Sequence, residues 1–176
     1  IGATSPGDSD MPASNEQLIL EALGDSHPAF EQLVKQYQHR VLRTIASIIS
    51  DEQAAHDVAQ ETFLSAWSNL AKLKERQRFG GWLNQIAINF SKRWLRDQQK
   101  HQKNIVPLED VISLVQEQRQ EGDKLRQEVW DAIDELAETN KEIVILHYIS
   151  GYSYKEIAEM LSVPVSTVRG RLQHVR

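Results

Sequence analysis

Apolar residues recur at helical spacing along most of this chain, and this pattern constrains the fold more than any other feature. One apolar helix face runs over residues 30–49, a second over 54–70 and a third over 82–94. Asp51 precedes the second of these segments at the position where an N-cap is needed. A shorter helix is expected over 16–23. We therefore predict an all-α domain in which these helices pack together.

Composition narrows the class of protein. The 176 residues include five Pro and eight Gly, which favours long helices over a turn-rich β fold. Cysteine is absent, so disulfides, thiol catalysis and Cys-ligated zinc are excluded, in keeping with an expected cytoplasmic location. No apolar run is long enough to cross a bilayer, so no membrane insertion is expected. The chain also lacks Gly-rich phosphate loops and nucleophile motifs, which argues against an enzyme.

The chain divides into four segments. Residues 1–10 precede Met11 and are interpreted as an expression-tag scar outside the fold. Residues 11–97 form the first helical domain. Residues 98–122 are rich in Gln and charge and are interpreted as a flexible linker. Helical periodicity returns near Val129, and we predict a second small helical domain over 123–176.

The closing stretch "GYSYKEIAEMLSVPVSTVRGRLQHVR" predicts two short helices joined by a tight turn. Ser153 and Glu156 have the S-x-x-E spacing of a capping box. Pro164 suits the start of the second helix. The predicted core stripe of that helix consists of Val165, Val168, Leu172 and Val175. Together these features are typical of a helix-turn-helix.

The opposite face of the last helix is polar. Short polar side chains there could reach base edges while arginines on either side reach phosphates. The alternative is an ordinary helical hairpin with a solvated face. Gly170 lies on the same face, and a glycine inside a helix lowers the stability of that helix by about 1 kcal/mol relative to alanine. It either permits close approach of the backbone to DNA or removes a contact. The candidate DNA-binding residues are Ser166, Thr167, Arg169, Arg171, Gln173 and His174.

The third helix carries a basic stripe that includes amide side chains. Such a stripe can hold the phosphates of one strand and bind unstacked bases. The loop over 71–79 before it is also basic. Phe79 and Trp82 could stack on bases or belong to the core, and for Trp82 the core is favoured. The residues of the stripe are Gln85, Asn89, Lys92, Arg93 and Arg96.

The second helix has an acidic face formed by Asp57, Gln60 and Glu61. An acidic cluster is either a solvated helix face or a surface for a basic partner. Phe63 and Trp67 nearby are assigned to the core.

Three stretches resemble parts of a bacterial sigma factor. "GYSYKEIAEMLSVPVSTVRGRL" resembles region 4, "DEQAAHDVAQETFLSAWSNL" resembles region 2.2, and "FGGWLNQIAINFSKRWLRD" resembles regions 2.3 and 2.4. They occur in the order and spacing of that family and cover about residues 25–97 and 125–176. Nothing corresponds to the extra domains of housekeeping sigma factors. The chain therefore resembles the extracytoplasmic-function (ECF) group of sigma factors.

The resemblance implies a transcription initiation factor rather than an enzyme, with no cofactor or metal. Its expected partners are core RNA polymerase (the β′ clamp coiled coil and the β flap), promoter DNA and an anti-sigma factor. Asp57, Gln60 and Glu61 would contact the polymerase, and the last helix would bind the −35 element. Relatives usually continue for a further basic turn, so part of the −35 surface is expected beyond Arg176. The loop over 71–79 would receive a flipped base. The −10 element would be bound by Arg78, Gln85, Asn89, Lys92, Arg93 and Arg96.

Two tethered domains suit two promoter elements. A 25-residue linker spans at most about 80–90 Å, and the elements lie roughly 70 Å apart. The segment 109–135, with nine acids and three bases, is expected to discourage DNA binding in the absence of polymerase.

Three alternatives belong to other classes. A stand-alone helix-turn-helix repressor or response-regulator output domain leaves the basic third helix unexplained. A helical di-metal enzyme is supported only by Glu52 and His56, with Glu61 nearby, and lacks a second Glu-x-x-His motif. A protein-binding adaptor would show no steep dependence of DNA binding on salt.

Overall fold

The computed structural model describes residues 14–102 and 113–174, and every regular element within these ranges is helical. The predicted all-α fold is therefore confirmed. The expected expression-tag scar (1–10) and the last member of the predicted core stripe, Val175, lie outside the described residues. The helices are α1 (Asn15–Leu23), α2 (His27–Ala46), α3 (Glu52–Asn69), α4 (Phe79–Gln102), α5 (Ser113–Asp134), α6 (Glu138–Val144), α7 (Tyr154–Leu161) and α8 (Val165–His174).

Local side chains determine where several of these helices begin. The Ser14 hydroxyl caps α1, and Pro28 occupies the first turn of α2, where its missing N–H is tolerated. The predicted cap of α3 is confirmed, because Asp51 Oδ1 accepts from the Ala54 amide at 2.7 Å. Two short 3₁₀ turns, Leu70–Lys72 and Arg76–Arg78, then carry the chain into α4.

The core of the N-terminal domain lies between α2, α3 and α4. Leu33, Val41 and Leu83 are fully buried there. Phe79 is also fully buried, and its ring meets that of Tyr37 edge-on at 5.1 Å between centroids. Phe79 is thus a core residue and is not available to stack on a base.

The aromatic residues assigned to the core pack against it without being fully buried. Phe63, Trp67 and Trp82 are each partly exposed at its edge. The Trp67 ring lies 4.9 Å from that of Phe30. Their assignment to the core is confirmed.

Helix α4 is buried over a wider arc than its apolar stripe predicted. Besides Leu83 and Ala87, it buries Asn84, Ile88 and Ser91. The additional strip exists because α4 packs on two sides, against its own domain and against residues of the C-terminal domain such as Ser150.

The C-terminal domain comprises α5 to α8. A π-type turn over Ile145–Ile149 extends α6. The core of this domain includes Ile143, Leu146 and Ile157. In α5 the buried residues are Trp130 and Ile133, whereas Val129 is 43% exposed. Val129, near which helical periodicity was predicted to return, therefore lies well inside α5 and contributes little to the core.

One residue of the predicted α8 stripe was placed wrongly. Val168 and Leu172 are buried as expected, but Val165 is 38% exposed. Val165 is the first residue of α8, and helical side chains lean toward the N-terminus, so this one extends past the packed part of the helix. Val163, in the preceding turn, packs against the core.

Helices enter the predicted linker from both sides. Helix α4 continues to Gln102, and α5 has already begun at Ser113. The remaining residues, 103–112, lie outside the described part of the chain.

The two domains pack directly on each other. Arg40 of α2 pairs with Glu156 of α7 at 2.6 Å, and Trp130 Nε1 of α5 donates to the Ser47 carbonyl at 3.0 Å. The buried apolar residues of both domains form one continuous cluster.

Candidate nucleic-acid interface

The predicted face of α4 is present on the surface. Gln85, Asn89, Arg93 and Arg96 are exposed, and Lys92 is half-buried. Gln85 Nε2 donates to Asn89 Oδ1 at 3.0 Å, so the two amides are held side by side. Two amide groups flanked by cations can accept from and donate to base edges while the cations hold phosphates.

Two cations of the predicted −10 set pair with the C-terminal domain, and a third, Arg93, pairs with Glu61 of its own domain. Lys92 Nζ lies 2.6 Å from Asp134 Oδ2, and Arg78 Nη2 lies 2.9 Å from Glu142 Oε1. Both acids belong to the C-terminal domain. The sequence placed Arg78 and Lys92 on a DNA-binding surface, whereas the structure places each against a carboxylate.

The contact with Lys92 changes the pKa of its partner, Asp134. The hydrogen bond from Lys92 is the main cause that lowers the pKa of Asp134, and Lys141 adds to the effect. The Lys92 ammonium also lies 5.4 Å from the centre of the Trp130 ring. Asp134 is therefore held ionised between two lysines.

The basic loop before α4 borders a cleft of about 520 Å³. Lys72, Lys74 and Trp82 lie on the N-terminal side of this cleft, with Lys141 and Glu142 on the other. Lys72 Nζ donates to Asn69 Oδ1 at 2.6 Å. A cleft thus lies beside the loop that was expected to receive a flipped base, and one wall of the cleft comes from the C-terminal domain.

The closing motif forms the predicted helix-turn-helix. The Ser153 hydroxyl accepts from the Glu156 amide at 3.3 Å, and Glu156 Oε2 accepts from the Ser153 amide at 2.8 Å, which confirms the capping box. Ser162 ends α7 in the left-handed conformation with φ 54°, and Pro164 immediately precedes α8. Val168 and Leu172 then anchor α8 in the core.

The polar face of α8 points away from that core. All six residues predicted to bind DNA there are exposed or half-buried: Ser166, Thr167, Arg169, Arg171, Gln173 and His174. A side chain added at Gly170 would meet no neighbouring atom within 4 Å, so this part of the helix is open.

The acidic face of α3 is exposed as predicted. Asp57, Gln60 and Glu61 lie on the surface, and Glu61 pairs with Arg93 of α4 at 3.0 Å. Leu64 lies one turn beyond Gln60 and Glu61 and is 68% exposed. The sequence analysis missed Leu64, although its i+3/i+4 spacing from two predicted contact residues could have identified it.

Two further observations concern the alternative of a metal enzyme and the expectation of no membrane insertion. Within residues 14–102 and 113–174, no group of three or more His, Asp or Glu side chains is arranged to hold a metal ion. No helix in the same ranges is both long enough and apolar enough to cross a membrane.

Comparison with known proteins identifies the family. Sigma-70 region 2 matches residues 33–101, and sigma-70 region 4 matches residues 126–176. The RNA polymerase sigma-H factor of Pseudomonas aeruginosa is 31% identical over 175 residues, which cover 92% of this chain and 90% of that protein. The ECF RNA polymerase sigma-E factor of Haemophilus influenzae is 31% identical over 182 residues, covering 92% and 93%.

A solved structure of CnrH in complex with the cytosolic domain of CnrY has a similar fold. It is 25% identical to this chain, with a TM-score of 0.52 and 90% of each chain covered. The chain therefore belongs to the ECF group of the sigma-70 family, the transcription initiation factors that bind core RNA polymerase and direct it to promoters.

Proposed function

We propose that the two domains divide promoter recognition between them, with α8 binding the −35 element and α4 the −10 element. The proposal depends above all on one observation, the outward polar face of α8 above its buried anchors Val168 and Leu172. This is the arrangement in which a helix can enter a major groove. In this assignment the N-terminal domain spans 11–97, the linker 98–122 and the C-terminal domain 123–176.

In the −35 complex, the short side chains of α8 contact base edges. Ser166 and Thr167 lie at the start of the helix, where recognition helices approach bases most closely. Gln173 and His174 extend the same face. Arg169 and Arg171 hold the phosphates on either side, which orients the helix but carries no sequence information.

In the −10 complex, the Gln85–Asn89 pair binds unstacked bases of the non-template strand. The contact leaves the Gln85 oxygen free to accept and both protons of Asn89 Nδ2 free to donate. Arg93 and Arg96 are exposed further along the helix and hold the phosphates of the same strand. Arg78 and Lys92 join them once their carboxylate partners have moved away.

Polymerase binds through α3 in this proposal. Asp57, Gln60 and Glu61 contact the β′ clamp coiled coil, and Leu64 adds an apolar contact at the edge of the same face. The C-terminal domain binds the β flap. An anti-sigma factor regulates the protein by covering these surfaces, and the protein acts in the cytoplasm, where polymerase is found.

Position-specific photo-crosslinking tests the assignment. A crosslinker is placed in place of Ser166 or of Asn89, and holoenzyme is formed on a promoter selected from a genomic fragment library. The expected crosslinks map to two separate promoter segments about two helical turns apart, the upstream one from position 166. Lys35, exposed on α2, provides the control position, from which no crosslink is expected. Crosslinks from 166 and 89 to the same segment would contradict the proposal.

A further inference from the structure

The backbone of the turn that follows α3 is anchored beside the cleft of about 520 Å³. Leu70 is buried at the start of this 3₁₀ turn, and the Leu73 amide donates to the Leu70 carbonyl at 3.0 Å. Leu73 also packs against the core. The backbone of Lys72 is therefore held on both sides, while its exposed side chain lines the cleft.

The side chain of Asn69 holds the Lys72 ammonium group. Asn69 Nδ2 donates to the Ser65 carbonyl at 2.8 Å, and Lys72 Nζ donates to Asn69 Oδ1 at 2.6 Å. The carbonyl can only accept and the ammonium can only donate, so these two neighbours fix which way the Asn69 amide is turned. A lysine side chain that is already ordered loses less conformational entropy when it binds a ligand.

The group that holds Lys72 is neutral, and this distinguishes Lys72 from three neighbouring cations. Arg78, Lys92 and Arg93 each pair with a carboxylate, at 2.9, 2.6 and 3.0 Å. Within residues 14–102 and 113–174, no carboxylate pairs with Lys72. The charge of Lys72 is therefore oriented without being neutralised.

This arrangement leaves donors for an anion. An ammonium group has three N–H donors and Asn69 uses one of them, so two remain for a phosphate while the bond to Asn69 is kept. Trp82 and Gln85 line the same cleft, and a base that enters it leaves its own phosphates at the rim. Charge-assisted hydrogen bonds to such a phosphate offset part of the free energy needed to unstack the base.

We propose that Lys72 binds the phosphate next to the base that enters the cleft, and that Asn69 is the positioning residue for Lys72. Lys72 can bind without first losing a carboxylate partner, unlike the cations of the three ion pairs. The inference rests on the proposed function, because it takes α4 and the turn before it as the −10 surface.

Salt titrations test both roles, with holoenzyme binding to a labelled non-template −10 strand. Lys72→Ala should weaken binding and reduce the slope of log K against log salt concentration by about 0.7, the value for one phosphate of a single strand. Asn69→Ala should weaken binding by about two- to tenfold with the slope unchanged, because it removes the orientation and keeps the charge.

A charge control accompanies the titrations. Lys35→Ala removes the same charge from an exposed position of α2 and should change neither the affinity nor the slope. Equal changes in Lys35→Ala and Lys72→Ala would show a general charge effect and would overturn the inference.

The double variant decides whether Asn69 acts through Lys72. When Lys72→Ala is already present, Asn69→Ala should cause no further loss of affinity. The control is Ser68→Ala, because the Ser68 hydroxyl donates to the Leu64 carbonyl at 3.0 Å and has no hydrogen bond with Lys72 among the described residues. A loss from Asn69→Ala that is equal with and without Lys72, or is matched by Ser68→Ala, would show a role in the end of α3 alone and would overturn the positioning role.

Neutral linkages in the strand identify the group that Lys72 binds. Each phosphate is replaced in turn by an uncharged methylphosphonate, and the affinities of the unmodified protein and Lys72→Ala are compared. We expect one linkage at which Lys72→Ala causes no further loss. A loss that persists at every linkage would overturn the phosphate assignment, as would unchanged affinity of Lys72→Ala for the natural strand.

Failure of the proposed function would look different. Holoenzyme with the unmodified chain would then bind the −10 strand no better than a scrambled strand of the same composition. In that case the −10 assignment falls, and the inference falls with it. Selective binding by the unmodified chain, with Lys72→Ala unchanged, would overturn the inference alone.

Discussion

Lys92 of α4 donates to Asp134 of α5 at 2.6 Å and thereby joins the helix assigned to the −10 element to the first helix of the C-terminal domain. The two residues are 42 positions apart in the chain. A second pair, Arg40 and Glu156, joins α2 to α7. Both pairs join the N-terminal to the C-terminal domain, so a change at either carboxylate is expected to weaken the contact between the domains.

Acid should weaken the domain contact. The Lys92 hydrogen bond lowers the pKa of Asp134. For Glu156, partial burial opposes the shift, but the hydrogen bonds from Ser153 and Arg40 outweigh it and lower the pKa. Only the part of each shift that comes from the other domain, from Lys92 for Asp134 and from Arg40 for Glu156, favours closure while the carboxyl is ionised. This contribution is lost as the pH falls through those pKa values. We expect opening below about pH 4.

Energy transfer between dyes on α2 and α7 would detect this opening. The dyes are attached through Lys35→Cys and Lys155→Cys, both at exposed positions. Transfer should fall on acidification before far-UV circular dichroism changes, and Glu156→Gln should flatten the profile. Transfer that stays constant until the helices unfold would contradict the prediction.

Arg171→Ala should weaken binding to the −35 duplex. Loss of one phosphate contact should weaken binding to all sequences about equally and should reduce the slope of log K against log salt concentration by about 1. The measurement is a salt titration of holoenzyme binding to a duplex that carries only the −35 element. Lys155→Ala removes the same charge from α7 and serves as control. An equal loss of affinity in Lys155→Ala would show that Arg171 makes no specific contact with the −35 element.

Asn89→Ala should impair promoter opening without unfolding the protein. Asn89 is exposed, and the only hydrogen bond of its side chain among the described residues is with Gln85, so the free energy of unfolding should change by less than about 0.5 kcal/mol. Opening can be followed by the fluorescence of 2-aminopurine in the −10 element. Gln98→Ala, at an exposed position of the same helix, should open the promoter normally. Normal opening by Asn89→Ala would count against the assignment of α4.

Leu64→Ser should weaken binding to core polymerase. The side chain is 68% exposed in the free protein, so its replacement should leave stability nearly unchanged. Burial of a leucine at an interface contributes about 1.5–3 kcal/mol, which corresponds to a loss of affinity of about tenfold or more. Leu20→Ser, 51% exposed on α1, is the matched control. Unchanged affinity of Leu64→Ser for core polymerase would exclude Leu64 from the docking face.

Two Gly→Ala changes should have opposite effects on stability. At Gly170 the added methyl group meets nothing within 4 Å, so the change should stabilise α8 by up to about 1 kcal/mol. At Gly80 it meets the buried Tyr152 hydroxyl at 2.8 Å and the Tyr37 ring at 3.0 Å, so both the domain contact and the N-terminal core should be strained. Thermal unfolding separates the two cases, and stabilisation of both variants would show that Gly80 is not under steric constraint.

Helices and caps were predictable from the sequence because both are local. Asp51 and Ser153 lie within three residues of the amides they bind, so spacing alone predicts their roles. The exposed face of α8 follows in the same way from the buried positions of Val168 and Leu172. Val165 was the exception, because helical spacing takes no account of where a helix begins.

The domain contact could not be predicted, because its partners are far apart in the sequence. Ser150 meets Thr44 from 106 positions away, and Arg78 meets Glu142 from 64 positions away. A buried threonine or serine has no periodic pattern, and a basic residue on a predicted DNA surface looks the same in sequence whether or not a carboxylate lies beside it. For this reason Arg78 and Lys92 were predicted as free cations, and Trp130 was overlooked as a buried residue.

The central claim is that this chain joins core RNA polymerase and determines where it initiates. The most direct measurement is run-off transcription on a genomic fragment library with purified core polymerase, with and without the chain, followed by sequencing of transcript 5′ ends. The account predicts new start sites that share two upstream elements about two helical turns apart. Start sites identical to those of core polymerase alone, with no association between the chain and core, would contradict it.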